Sequence, residues 1–307
     1  MSQTSSGAPK QASTKMQLTG TVGIIAGNGR LPYEIAASVK TAGREVFIIG
    51  IAGEVDAEVE QHPHAIIEWG HIGQLFNLLT RYNVDDVIFA GGILRRPELK
   101  LSKLDFGAFL TVPRVLAALL DGDNSILSGV VGVFERKGFT VRGVGDLAPD
   151  LLVSPGVNGT GSVSKGQLAL ADQGLSITRA LGPYDVGQGC VLVGRRAVAI
   201  EGIEGTDEML SRVARLKSAA RLPLHGGGVL VKCPKPGQDY RVDLPTIGPR
   251  TVSNAHAAGL TLIALEAGNT LIVDRQKTLD AAAKRGIAIY GAQAGTTPNS
   301  ILKATAE

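Results

Sequence analysis

The chain has 307 residues, a length that accommodates two domains, each with a hydrophobic core of its own. Hydrophobic residues make up 44% of it and charged residues 19%, which is the composition of a folded protein. The net charge of +3 comes from scattered Lys and Arg with only 4% aromatic residues, which argues against the clustered basic stripe of a nucleic-acid-binding protein.

Cysteines, histidines and apolar runs exclude three further classes. Cys190 and Cys233 stand alone and no CxxC or HExxH pattern occurs, so we expect neither a disulfide scaffold nor a zinc site, and a reducing cytoplasm fits. No apolar run reaches the length of a membrane span. Residues 1–19 are rich in Ser, Thr and Gln and lack the apolar core of a secretory signal, which predicts a disordered tail.

The first predicted elements form a βαβ unit. The sequence predicts a strand over 22–26, a glycine turn, a helix from Pro32 to about Ala42 and a strand over 46–51. A short strand (AIIEW), a helix (IGQLFNLLTRY), an apolar strand (DVIFAGG) and two helices within 106–120 and 123–137 follow. Nearly continuous apolar strands separated by helices indicate a parallel sheet covered on both faces, so we expect a Rossmann-like domain over 20–150.

The glycine turn AGNGRLP is the first candidate site. Gly27, Asn28 and Gly29 follow a strand and precede a helix, so backbone N–H groups could hold a phosphate or a polar sugar edge. An NAD-dependent oxidoreductase is one alternative. Pro32 replaces the third glycine of that fingerprint, however, and no clear acid ends the second strand as a ribose anchor. Turn geometry alone explains the glycines equally well.

The loop AGGILRR should lie at the same edge of the sheet, because it follows a neighbouring strand. Arg95 and Arg96 could meet phosphate there, although arginines at loop ends are more often only solvated.

The second half of the chain predicts a mixed α/β domain. A stretch rich in Gly, Pro and Ser places a linker at 151–160, followed by a catalytic domain over 161–295 and a tail over 296–307. GCVLVGRRAVAIEG predicts a hairpin with its turn at 194–196, and DEMLSRVARL predicts a helix.

Four acids cluster near the start of that helix. Glu201, Glu204, Asp207 and Glu208 could together bind Mg²⁺. A purely structural explanation also holds, because Thr206 is a natural N-cap and acids in a first turn favour the helix dipole. The two explanations are equal for Asp207, and the structural one is preferred for Glu208.

The segment KCPKPGQDYRVDLPTIG is the strongest candidate. If QDYRVDL is extended, Asp239, Arg241 and Asp243 project to one side at a spacing of two. Lys232 and Lys235 add cations from the preceding strand end and turn. A carboxylate that holds Mg²⁺ beside cations that neutralise a diphosphate is the usual requirement for attack by water on phosphorus. The alternative is an edge strand with solvated charges.

These segments, together with YDVGQG, VAIEGIEGTDEMLSR and AGLTLIALEAGNTLIVDR, resemble the I-type UDP-2,3-diacylglucosamine pyrophosphatases of lipid A biosynthesis over roughly residues 20–292. The resemblance implies a Mg²⁺-dependent hydrolase, with Mn²⁺ as the alternative ion. It would cleave the diphosphate of UDP-2,3-diacylglucosamine into UMP and 2,3-diacylglucosamine 1-phosphate, with the substrate between two domains. It also implies a peripheral protein at the cytoplasmic face of the inner membrane, and leaves open a homo-oligomer.

Residue by residue, the resemblance places catalysis on Asp243, supported by Asp207, and adds Glu204 to both as metal ligands. The residues expected to touch substrate are Gly27, Asn28, Gly29, Ala90, Gly91, Arg96, Gly187, Gln188, Thr206, Lys232, Arg241 and Thr246. A non-catalytic sugar-nucleotide- or lipid-binding protein on the same scaffold is the remaining alternative.

Overall fold

The computed structural model describes residues 20–93, 123–222 and 227–293, and only the backbone of 123–127. Arg96, the predicted helix within 106–120 and both predicted tails lie outside the described residues.

The first sheet has five parallel strands in the order β3-β2-β1-β4-β5. The strands are β1 (Thr21–Ala26), β2 (Val46–Ile51), β3 (His64–Ile67), β4 (Val84–Ala90) and β5 (Thr140–Val141). The helices are α1 (Leu31–Thr41), α2 (Ile72–Arg81), α3 (Asp123–Arg136) and the short α4 (Val144–Leu147).

Helices cover both faces of this sheet, which is why its strands are apolar almost throughout. Alternate residues of β1 face opposite layers: Val22 and Ile24 pack in one core cluster with α1 and α4, and Ile25 packs in another with α2 and α3. The predicted Rossmann-like arrangement is therefore confirmed.

The second sheet has six strands in the order β6-β13-β11-β9-β7-β8. Its strands are β6 (Gly156–Asn158), β7 (Gly189–Val193), β8 (Arg196–Ile200), β9 (Gly228–Lys232), β11 (Leu260–Glu266) and β13 (Ala288–Ala292). A small parallel pair consists of β10 (Thr246–Ile247) and β12 (Leu271–Ile272). The helices are α5 (Lys165–Leu181), α6 (Gly205–Ser218), α7 (Pro249–Ala257) and α8 (Arg275–Lys284).

This second sheet is mixed, as predicted. Strands β9, β11 and β13 are parallel, while β6 and β7 run antiparallel to their neighbours and β7 forms the predicted hairpin with β8. Val229 and Val231 pack against α5, and Leu230 packs against α6, α7 and α8 on the other face. Strand β6, which begins this sheet, lies inside the predicted linker at 151–160.

The expectation that QDYRVDL is extended is wrong. The backbone N–H groups of Val242 and Asp243 both donate to the carbonyl of Asp239, at 3.1 and 3.2 Å, so the segment makes a turn. The physical cause is the side chain of Asp239, whose Oδ1 accepts from the N–H of Arg241 at 3.1 Å and closes an Asx-type turn. Alternation along a strand therefore does not decide which side chains share a face here.

The two domains contact each other through polar and apolar groups. Arg30 Nε lies 3.1 Å from Asp274 Oδ1, and the N–H of Asp274 donates to Glu34 Oε1 at 2.7 Å. Arg241 Nη1 lies 2.7 Å from Glu135 Oε1, which joins the turn of the second domain to α3 of the first.

Apolar neighbours of Asp243 complete this interface. Val242 packs against the core cluster formed with α2 and α3, and Leu244 against the cluster formed with α1 and α4. Asp243 consequently lies between the two domains. Within the described ranges, no helix is both long and apolar enough to cross a membrane.

Candidate active site

The glycine turn and the loop after β4 lie together at one edge of the first sheet. The N–H of Gly27 donates to Ala90 O at 2.9 Å, and Asn28 and Gly92 exchange two backbone hydrogen bonds of 2.7 and 2.8 Å. A Cβ atom at Gly27 would lie 2.2 Å from Gly92 O, so glycine is required by the close approach of the two loops. The structure thus brings together the predicted residues of this domain, from 27 to 29 and from 90 to 91.

A carboxylate that the sequence analysis missed occupies the glycine turn. Asp56, on the loop after β2, accepts from the N–H of Gly29 at 2.7 Å and from Asn28 Nδ2 at 3.3 Å. Its backbone carbonyl accepts from Tyr33 Oη at 3.0 Å. The N–H of Gly29 is therefore engaged by a carboxylate, which makes this turn better suited to ligand hydroxyl or N–H groups than to phosphate.

Asp243 is the central acid of the site. Its Oδ2 accepts from Gln188 Nε2 at 3.2 Å and from Gln238 Nε2. Burial raises the pKa of the Asp243 carboxyl, while the positive charges of Lys235 and Lys232 and the two amides act in the opposite direction. The carboxyl of Asp243, which burial makes costly to ionise, therefore lies near the positive charges of Lys232 and Lys235.

Gln188 reaches Asp243 because two loops touch at the end of the β7–β8 hairpin. A Cβ atom at Gly187 would lie 2.1 Å from Glu201 O, so only glycine allows this backbone contact. The carbonyl of Gln188 accepts from the N–H of Cys233 at 3.0 Å, which anchors it to the end of β9.

Lys232 ends β9 and is only 6% exposed. Its Nζ donates to Thr206 Oγ1 at 2.7 Å and to the carbonyl of Thr246 at 3.4 Å. The hydroxyl of Thr206 donates in turn to Glu201 Oε1 at 2.8 Å. Thr206 is consequently not the N-cap suggested as the structural explanation; Glu204 holds that position, without a side-chain capping bond.

The other predicted acids have different partners. Asp207 accepts from Asn254 Nδ2 at 2.7 Å and lies 3.0 Å from Arg250 Nε, so it joins α6 to α7. Glu204 pairs with Arg212 at 3.3 Å on its own helix. Among the described residues no group of three or more His, Cys, Asp or Glu side chains could hold a metal ion, so Asp243, Asp207 and Glu204 are not assembled into one ligand set.

Arg241 is likewise engaged away from Asp243. Its Nε and Nη2 donate to the two carboxylate oxygens of Asp239, at 2.9 and 2.7 Å, and its Nη1 reaches Glu135. These hydrogen bonds hold the pKa of Asp239 below its usual range. The predicted contact of Arg241 with a diphosphate would compete with both carboxylates, and it stays a prediction.

The fold and the site define a class of protein: a two-domain α/β protein in which a half-buried acid lies near two lysines at the boundary between the domains, an arrangement suited to an anionic ligand. The chain belongs to the LpxI family. The models of the LpxI N-terminal domain and the LpxI C-terminal domain match residues 21–151 and 154–290. The chain is also 36% identical over 271 residues to the UDP-2,3-diacylglucosamine pyrophosphatase LpxI of Caulobacter vibrioides, with 88% of this chain and 96% of the relative covered.

Proposed function

We propose that this protein hydrolyses the diphosphate of UDP-2,3-diacylglucosamine, releasing UMP and 2,3-diacylglucosamine 1-phosphate for lipid A synthesis. The observation that carries the proposal is the setting of Asp243, a half-buried carboxyl near Lys232 and Lys235 between the two domains of an LpxI family member. The relative's printed name supplies the substrate. The same family match favours a hydrolase over the NAD-dependent alternative.

The reaction adds a water oxygen to one phosphorus and breaks its bond to the bridging oxygen, which leaves on the other phosphate. Negative charge grows on the oxygens of the leaving and transferred groups. Lys232 offsets this charge, and Lys235 does so in competition with Asp185, with which it forms an ion pair. Both act strongly because the site is partly shielded from water. Gln188 and Gln238 fix the orientation of Asp243 by donating to its Oδ2, which leaves Oδ1 for other contacts.

The residues present fit one Mg²⁺ ion. Both glutamines donate to Oδ2 of Asp243, and among the described residues no hydrogen-bond partner of Oδ1 is present. Mg²⁺ is commonly held by one or two carboxylates together with substrate phosphates and water, so Asp243 with the diphosphate is a sufficient protein contribution. When bound, the ion would neutralise phosphate charge and make water more acidic.

The deciding experiment measures UMP release from UDP-2,3-diacylglucosamine with Mg²⁺, with Mn²⁺ and with EDTA. We expect Asp243→Ala to abolish release while binding of the substrate remains measurable. Asp280→Asn, which changes an exposed acid on α8, is the matched control and should retain activity. Full activity in Asp243→Ala would sink the assignment, and substrate binding by the wild type without UMP release under either ion would favour the non-catalytic alternative.

We also propose that the enzyme works as a peripheral protein on the cytoplasmic face of the inner membrane. Two large apolar side chains near the Gln188 and Glu201 loops are supporting evidence, because Ile203 is 95% exposed and Tyr184 is 78% exposed. Ile203→Asp should reduce co-sedimentation with phosphatidylglycerol-containing vesicles, whereas Ile66→Asp, in the other domain, should not. Equal sedimentation of both variants and the wild type would contradict this placement.

A further inference from the structure

A buried acid that the proposed reaction does not use lies near Lys232. Glu201 is only 9% exposed, at the end of the β7–β8 hairpin, and its N–H donates to Gly189 O at 2.9 Å. Its Oε1 accepts from Thr206, and its Oε2 is buried with no hydrogen-bond partner among the described residues. Oε2 lies 2.6 Å from where a Cβ atom of Gly189 would be, so the sequence keeps glycine there and leaves room for the carboxylate.

Chemistry fixes the direction of the hydrogen bonds in this group. The ammonium of Lys232 can only donate, so the hydroxyl of Thr206 must accept from it. That hydroxyl has a single proton, which it donates to Glu201. The carboxylate therefore turns the lone pairs of Thr206 toward Lys232.

Glu201 also supplies charge in a place where charge is costly. Lys232 is buried, and its ammonium donates to Thr206 and to the carbonyl of Thr246, with Asp243 at longer range, among the residues that the structure describes. An ammonium in such a place needs a nearby anion. A neutral amide would satisfy the hydroxyl of Thr206 but would not supply this charge.

We propose that Glu201 is a positioning residue that acts through Thr206 to hold the ammonium of Lys232 against the phosphate groups of the ligand. This inference rests on the proposed function for the identity of the ligand. It assigns Glu201 no contact with substrate.

The test is a double-mutant cycle on Glu201→Gln and Lys232→Met, read out as the affinity for methylenediphosphonate in the presence of Mg²⁺ by calorimetry. A hydrogen-bonded charged group contributes roughly 10- to 100-fold in affinity, so we expect a loss of that size for Glu201→Gln. The same substitution should have no further effect in the Lys232→Met background, because its action passes through Lys232. Thr206→Val should lose as much affinity as Glu201→Gln, and Thr206→Ser, which keeps the hydroxyl, should retain the affinity of the wild type.

Glu208→Gln changes an exposed acid on α6, the helix that carries Thr206, and serves as the control that should bind like the wild type. An equal loss in both Lys232 backgrounds would show that Glu201 is merely structural. Absence of binding by the wild type, or wild-type binding by Glu201→Gln, would overturn the inference. If Glu201→Gln does not fold, the affinities of Thr206→Val and Thr206→Ser test the inference instead, and equal affinity of these two variants would overturn it. A wild type that binds the diphosphonate but releases no UMP would refute the proposed function and leave this inference standing.

Discussion

Gly187→Ala tests the packing that holds Gln188 against Asp243. A Cβ atom at residue 187 would lie 2.1 Å from the carbonyl oxygen of Glu201 and 2.7 Å from its carbonyl carbon, whereas ordinary contacts begin at 3.4 Å. Both obstacles are backbone atoms, so no rotamer change relieves the overlap. The two loops must separate by about 1.3 Å, the difference between 3.4 and 2.1 Å.

A displacement of that size should affect catalysis more than folding. Misplacing a positioning group by about 1 Å can cost roughly 100-fold in rate, while overpacking typically costs about 1–3 kcal/mol of stability. We therefore expect kcat for UMP release to fall by about two orders of magnitude in a protein that still unfolds cooperatively. Gly166→Ala is the control, because a Cβ atom at residue 166 would meet only Ser164 Oγ, at 3.9 Å, among the described side chains. A Gly187→Ala variant with wild-type kcat and melting temperature would refute the argument.

Two further predictions concern carboxylates that folding removes partly or wholly from water. Asp243→Asn should raise the melting temperature at neutral pH. Burial raises the folded-state pKa of Asp243, so the contribution of this carboxyl to stability is present below its ordinary pKa near 3.8 and is lost as pH rises through the raised pKa. In a series of melting curves, the difference in melting temperature between Asp243→Asn and the wild type should therefore shrink toward acid pH. A difference that widens toward acid pH would contradict the prediction. Asp86→Asn should cost about 3–5 kcal/mol in urea unfolding, because Asp86 is buried within 2.8 Å of Arg44 and 2.7 Å of Arg142; a loss no larger than that of Asp280→Asn would disprove this.

The elements that the sequence predicted well are those specified by local signals. Apolar runs bounded by glycine placed β1, β2 and β4, and Pro32 and Gly43 bounded α1 to within a residue. The sequence also predicted that the glycine turn and the loop at Ala90 lie together, because parallel strands have their carboxyl ends at the same edge of the sheet.

The predictions that failed or fell short depend on contacts between distant residues. Nothing local to Asp56 indicates that it will cap the N–H of Gly29, since the contact forms only when the loop after β2 folds over the turn. The sequence around Asp239 is compatible both with a strand and with an Asx turn. The turn forms because the carboxylate of Asp239 accepts from the backbone N–H and the guanidinium of Arg241. The residue pattern around Thr206 is that of a helix cap. In the folded protein its hydroxyl instead accepts a hydrogen bond from Lys232 of β9, which is distant in sequence.

The position of Asp243 depends on both domains at once. Its neighbours Val242 and Leu244 pack against cores of the first domain, while its carboxylate is held by Gln188 and Gln238 of the second. Arg241 adds an ion pair to Glu135 across the same boundary. A separation of the domains would withdraw these supports from the chain around Asp243 and admit water, which weakens its interaction with Lys232 and Lys235. The complete site therefore exists only when the two domains are in contact, and the energy of that contact is part of what positions the acid.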